Sequence, residues 1–242
     1  MKMKHFIMGG FIAAALAGLP GMSLAGDIAN IQPIGFSADG KVFAFQEFGI
    51  KEEGSVPYSN TYFIDTDSGQ YLEGTPFRTE LTDKDANLSK ARRQNLTAAR
   101  SQMDKYDLLT NPGLIAAFNP PTELGSPSKT IRYTTLATDG PPKSPYTLAL
   151  GEMPIPTPKE CAAVDKRVIG FSLQMIEKEG APNRQAARLA TAVPAERSCS
   201  IEYRIGGAIV YQPEAGNAIH IALVLAFDAA RDGRWIAIPV HP

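Results

Sequence analysis

The sequence is poor in the residues that carry most metal and acyl-transfer chemistry. It holds three histidines, two cysteines and one tryptophan in 242 residues. His5 lies in the opening segment, so only His220 and His241 remain for the body of the chain. A zinc site needs three or four clustered nitrogen or sulfur ligands, and two His beside two pairable Cys do not make one. No metal and no cofactor are expected. A serine hydrolase would show Gly-x-Ser-x-Gly at a strand-to-helix turn. The nearest run, Gly35-Phe36-Ser37-Ala38-Asp39, has Asp39 in place of the second glycine and leads into a strand, so it reads as a turn.

A charge excess of one sign is also missing, with 24 Lys+Arg against 25 Asp+Glu. Non-specific nucleic-acid binding needs clustered cations. The densest basic stretch, Lys90 to Arg100, is interleaved with Asn, Gln and Thr and reads as the solvated face of a helix. No nucleic-acid partner is expected. Past residue 25 there is no apolar run near the roughly 20 residues that cross a bilayer.

The opening segment has its own logic. Lys2 and Lys4 precede an apolar stretch from Phe6 to Ala17, and Ser23-Leu24-Ala25 supplies small residues at the −3 and −1 positions. Residues 1–25 are therefore expected to be a secretory signal cleaved after Ala25, leaving no membrane anchor in the mature chain. Losing the two lysines leaves 22 basic residues against 25 acidic ones. Cys161 and Cys199 are the only cysteines, both beyond the signal. In an oxidising compartment they are expected to form a disulfide, which in the simple loop model removes about 4 kcal/mol of unfolded-chain entropy.

What the body does contain is 44% apolar residues, 21 glycines and 19 prolines, a folded and turn-rich composition. Residues 31–78 read as a β-meander. Asp39-Gly40 makes a tight turn, after which Phe43, Phe45 and Glu47 share one face of a strand and Val42, Ala44, Gln46 and Phe48 the other. Gly49 to Pro57 reads as a loop, Asn60 to Asp65 as the next strand, and Thr66 to Gly69 as a turn. Residues 83–106 carry helical spacing through Leu88, Ala91, Ala99, Met103 and Tyr106, with Thr82 and Asp85 resembling a capping box. Further strands are expected over 131–137, 146–150, 168–176, 201–211, 218–227 and 235–240, and a short helix over 183–192. Asp232-Gly233 ahead of the last strand echoes Asp39-Gly40. The expectation is a mainly β fold with one long helix, an antiparallel sandwich or a partly open barrel. Residues 26–242 form one secreted domain, with 26–110 and 129–242 as the alternative subdivision.

Several stretches resemble a known family: Phe36-Ser37-Ala38-Asp39-Gly40-Lys41, then Phe43 to Gly49, then Pro57-Tyr58-Ser59-Asn60-Thr61-Tyr62-Phe63-Ile64-Asp65, with Gly74-Thr75-Pro76 and Asn119-Pro120-Pro121-Thr122-Glu123. They are similar to a bacterial family of predicted secreted proteins, domain-of-unknown-function family 2259, over roughly residues 36–125. The resemblance implies an exported periplasmic protein of Gram-negative bacteria and brings no activity, substrate or catalytic residue. The Phe-Ser-x-Asp-Gly-Lys turn is also similar to repeats of periplasmic propellers. A propeller, however, needs copies every 40–50 residues, and none occur.

Three residues are candidates for a site. Glu47 shares a strand face with two phenylalanines, Asp65 ends the neighbouring strand, and Tyr58 lies among the aromatics expected at turns with Tyr62 and Tyr71. Two carboxyls across a glycosidic bond would make a glycosidase. The competing reading has Glu47 at a strand end, reaching solvent or pairing with Arg78. Asp65 to Gly69 lacks the spacing of a calcium loop. His220 lies in an apolar strand and is expected to be structural. The expected function is a non-catalytic envelope module that binds an unknown ligand or protein. The alternative is a hydrolase of an envelope polymer acting through Glu47 and Asp65.

Overall fold

The computed structural model describes residues 26–51, 53–136, 144–164, 167–183 and 197–242. The signal segment and most of the 183–192 helix expectation lie outside them. Four strands open the chain: β1 (Asn30–Phe36), β2 (Val42–Lys51), β3 (Val56–Asp65) and β4 (Phe77–Glu80). They pair in sequence order as an antiparallel meander. Helix α1 (Leu88–Lys105) follows, then β5 (Leu114–Phe118). The strands β6 (Thr130–Tyr133), β7 (Tyr146–Pro154), β8 (Ile169–Lys178) and β9 (Ala181–Pro182) form a second meander. The chain then returns as β10 (Glu202–Tyr211), β11 (Ile219–Phe227) and β12 (Gly233–Val240), which join β5 in the order β12-β11-β10-β5. The fold is mainly β, with three four-stranded antiparallel sheets plus one helix, and no barrel closes among the described residues.

The layers follow from side-chain alternation. On β2, Phe43 and Phe45 face the central β12-β11-β10-β5 sheet, while Val42 and Ala44 face α1. On β11, Ile221, Leu223, Leu225 and Phe227 meet the first meander, and Ala222, Val224 and Ala226 meet the second. The central sheet is thus covered on both faces, which is why β11 reads as an almost unbroken apolar run. The order of layers is helix, first meander, central sheet, second meander.

Local chemistry sets the element ends. Gly40 takes a φ of 74°, and the Asp39 carboxylate accepts from Ser37 Oγ at 2.6 Å and from Lys41 N at 3.1 Å. These bonds hold Asp39 below the usual carboxylate range. The Asp232-Gly233 echo is built differently. There the left-handed residue is Arg231, and Asp228 Oδ1 accepts from Ala230 N and Asp232 N. The helix begins later than its periodicity predicts. Asn87 is the N-cap, accepting from Lys90 N at 2.9 Å, so the expected Thr82–Asp85 capping box does not open the helix, and Asp83 pairs with the Lys90 ammonium. Its inner stripe is Ala91, Asn95, Ala99 and Met103. Asn95 donates to Phe77 O and accepts from Thr61 Oγ1, tying helix to sheet. Where a loop was expected over Gly49 to Pro57, β2 continues to Lys51 and β3 starts at Val56. Strands β4 and β5 went unforeseen because each is short and neither alternates cleanly.

One packing detail ties three strands of the central sheet. The Trp235 indole lies across β10, where a bulge at Gly206-Gly207 makes room for it, and reaches the Phe118 ring on β5 at 6.2 Å. A Cβ on Gly206 would stand 2.4 Å from Trp235 Cζ3. Gly206→Ala should therefore cost about 2 kcal/mol by overpacking. In a calorimetric scan that lowers the melting temperature by roughly 4–8 °C. An unchanged melting temperature would show that the indole can move aside.

Candidate functional site

The face that Glu47 shares with Phe43 and Phe45 points into the core, so the carboxylate is fully buried. Burying an unpaired charge is prohibitive, and this one is paired on both oxygens. Oε2 accepts from Trp235 N at 2.6 Å. That N–H belongs to β12, an edge strand of the central sheet. Oε1 accepts from Arg197 Nη2 at 3.1 Å, from Tyr62 Oη at 3.3 Å and from Asn60 Nδ2 at 3.4 Å. Arg197 also donates to the Tyr62 hydroxyl at 3.0 Å. The expected alternatives, solvent or Arg78, are both replaced by a guanidinium 150 residues away.

Arg197 lies beside the disulfide in sequence. Cys161 and Cys199 are bonded as expected, and Cys199 stands two residues beyond Arg197. Ser200 closes the intervening turn by donating its hydroxyl to Arg197 O at 2.8 Å.

A second ionic group lies alongside. Arg234 donates to Asp27 Oδ2 at 2.9 Å and stands 3.5 Å from Asp232 Oδ2. Its guanidinium sits 4.9 Å from the Tyr58 ring centroid. Tyr58 is not a turn residue, as expected from sequence, but a buried side chain near the start of β3. Burial pushes its hydroxyl well above the usual phenol range, with Glu47 and Asp27 adding to the effect and Arg234 opposing it.

Over these groups opens a polar cleft of about 520 Å³. Its walls carry Lys51, Arg78 and Glu80 from the first meander and Asp228 and Asp232 from the β11–β12 turn. With Glu47, Arg197 and Arg234 the lining holds four cations and four carboxylates. Much of that charge is spent internally, Lys51 Nζ lying 2.5 Å from Glu80 Oε1.

The sequence profile described as "Predicted secreted protein (DUF2259)" matches residues 44–241. The chain belongs to this family. The match runs from β2 into the segment after β12, well past the 36–125 stretch that carries the resemblance by eye. No curated protein matches the chain. A formed disulfide accords with the secreted character of DUF2259 proteins.

Asp65 stands apart from this group of residues. It pairs with Val42, whereas Asn60 is the residue opposite Glu47. Five residues along an extended strand separate the two carboxylates by roughly 17 Å, beyond either glycosidase spacing. Asp65 instead builds its turn, accepting from Ser68 N and Ser68 Oγ at 2.7 Å each. Those bonds hold its carboxyl below the usual range. His220 lies in a different layer, buried between the central sheet and the second meander. Its Nδ1 is 2.8 Å from the Tyr133 hydroxyl, and its ring meets Tyr133 and Tyr146 edge-on. Among the described residues no three His, Cys, Asp or Glu side chains converge as metal ligands.

Breaking a buried pair by removing one partner costs about 3–5 kcal/mol. Glu47→Leu and Arg197→Met should each lose that much in urea unfolding. The double variant should lose less than the sum by more than about 1 kcal/mol, and additive losses would disprove the coupling. His220 generates a pH dependence. Burial, aided by His241, pushes its pKa down to about 4 from an ordinary 6.5. Between those values the unfolded chain binds the proton and the folded chain does not, so stability falls as pH drops from 6.5 to 4. The loss is about 3 kcal/mol. His220→Phe should flatten that slope in urea titrations at pH 4 to 7, and an unaltered slope would assign it to other groups.

Proposed function

We propose that this protein is an exported, non-catalytic binding module of the bacterial envelope. It works in the periplasm after loss of residues 1–25 and takes a polar ligand in the cleft above Glu47. The observation that carries the reading is the Glu47–Arg197–Tyr62 network, a preorganised set of donors and acceptors at the floor of an open cleft. The balanced lining favours a ligand held by hydrogen bonds, such as a glycan or a peptide segment, over a polyanion. Binding of that kind is weakly salt-dependent. A non-catalytic role is supported by the engagement of both Glu47 oxygens and by the distance of His220 from the cleft. Hydrolysis through Glu47 and Asp65 lacks the paired geometry it needs.

The test is thermal unfolding of the oxidised protein against envelope sugars, peptidoglycan fragments and short peptides. A ligand present at 100 times its dissociation constant stabilises by about 2.7 kcal/mol, a rise of roughly 5–10 °C for a domain of this size. Arg78→Ala, an exposed change in the cleft wall, should abolish the shift and leave the unliganded melting temperature in place. A shift that survives Arg78→Ala moves the ligand elsewhere. A panel without any shift leaves a protein partner as the only version of the reading.

A further inference from the structure

A sheet edge offers unpaired N–H and C=O groups to any other strand, and proline and charge are two of the commonest guards of such edges. The three sheets end in six edge strands: β1 and β4, β12 and β5, β6 and β9. Five are guarded. Pro33 lies in β1, Arg78 and Glu80 in β4, Arg234 and Pro239 in β12, Arg132 in β6 and Pro182 in β9. Strand β5 reads Leu-Ile-Ala-Ala-Phe and carries neither kind of guard. The nearest charges in sequence are Asp107 and Glu123.

This edge is also uncovered. Leu114, Ile115 and Phe118 are 37%, 57% and 43% exposed, among the most exposed large apolar side chains of the described residues. Ile115 is opposite Ile209 and Phe118 opposite Gly207 on β10, two residues apart and hence on one face. The extra residue of a β-bulge at Ala116 brings them together there. The result is an apolar strip beside backbone groups that, apart from the bulge at Ala116, find no strand partner among the described residues.

We propose that β5 is a self-association edge. Two copies of this chain pair antiparallel through β5 about a twofold axis, joining their central sheets into one eight-stranded sheet. A twofold axis sets a strand against itself, so a charged edge would meet its own charge; this edge has none to repel. The central sheet is already covered on both faces, so it can grow only at an edge, and its other edge, β12, is guarded. Ile115 and Phe118 of both copies meet near the axis and leave water together. None of these residues lines the Glu47 cleft, so the dimer stands or falls apart from the ligand reading.

Sedimentation equilibrium across micromolar to sub-millimolar concentrations tests it. The oxidised protein should show a mass of two chains that dissociates on dilution. Ile115→Lys and Leu114→Lys should each give the single-chain mass throughout, with the near-ultraviolet circular dichroism of the parent. Ile115→Thr, which keeps a β-branched residue, should raise the dissociation constant about tenfold. A single-chain mass for the parent at every concentration overturns the proposal. So does a dimer that both lysine variants leave intact.

Discussion

A sheet that is apolar on both faces cannot stand in water uncovered, and β10 to β12 form such a sheet. Ile221, Leu223 and Leu225 need a cover on one side, and Ala222, Val224 and Ala226 need one on the other. Each cover is a meander. The first comes from the N-terminal third of the chain, and the second is threaded between β5 and β10. Helix α1 is left for the outer face of the first meander, where Val42, Ala44 and Phe63 require it. The layer order follows from which strand faces are apolar.

That arrangement creates a seam between the first meander and the central sheet, and Glu47 closes it. One carboxylate takes the edge N–H of Trp235, the guanidinium of Arg197 and the hydroxyl of Tyr62. Three distant segments are thereby tied at one point of low dielectric, where each bond is stronger and each omission costlier than in water. The disulfide ends on the same short segment, Cys199 standing two residues beyond the Arg197 that pairs with the buried acid. The seam opens as the polar cleft, which sets the ligand site and the structural lock on the same residues.

Much of the fold was legible because local patterns and tertiary burial agree. The faces of β2 and β3, the Asp39-Gly40 turn and the last three strands stand where alternation and turn chemistry put them. The misses have physical causes. The helix starts at Leu88 because Asn87 out-competes Thr82 as a cap, a choice between two polar residues that periodicity does not see. Strands β4 and β5 carry too few residues to show a period. Tyr58 resembles an exposed turn aromatic only while β3 is taken to start at Asn60. With the strand extended to Val56, it falls on the buried face. The part of the site read from sequence was Glu47 on an apolar strand face and Tyr58, which also lines the cleft; the Arg197 partner of Glu47 was unreadable.

From the sequence alone come the mainly antiparallel architecture, the secretory character and the cysteine pairing. All depend on composition or on neighbours within a few residues, where backbone geometry and periodicity act directly. Tertiary structure decided which acid meets which base. Glu47 finds Arg197 across 150 residues, and Asp65 is kept from Glu47 by five residues of strand. It also decided that β5 is an edge while β11 is a centre. Both strands are apolar, and only the order of pairing separates one that is covered on every side from one that still faces water.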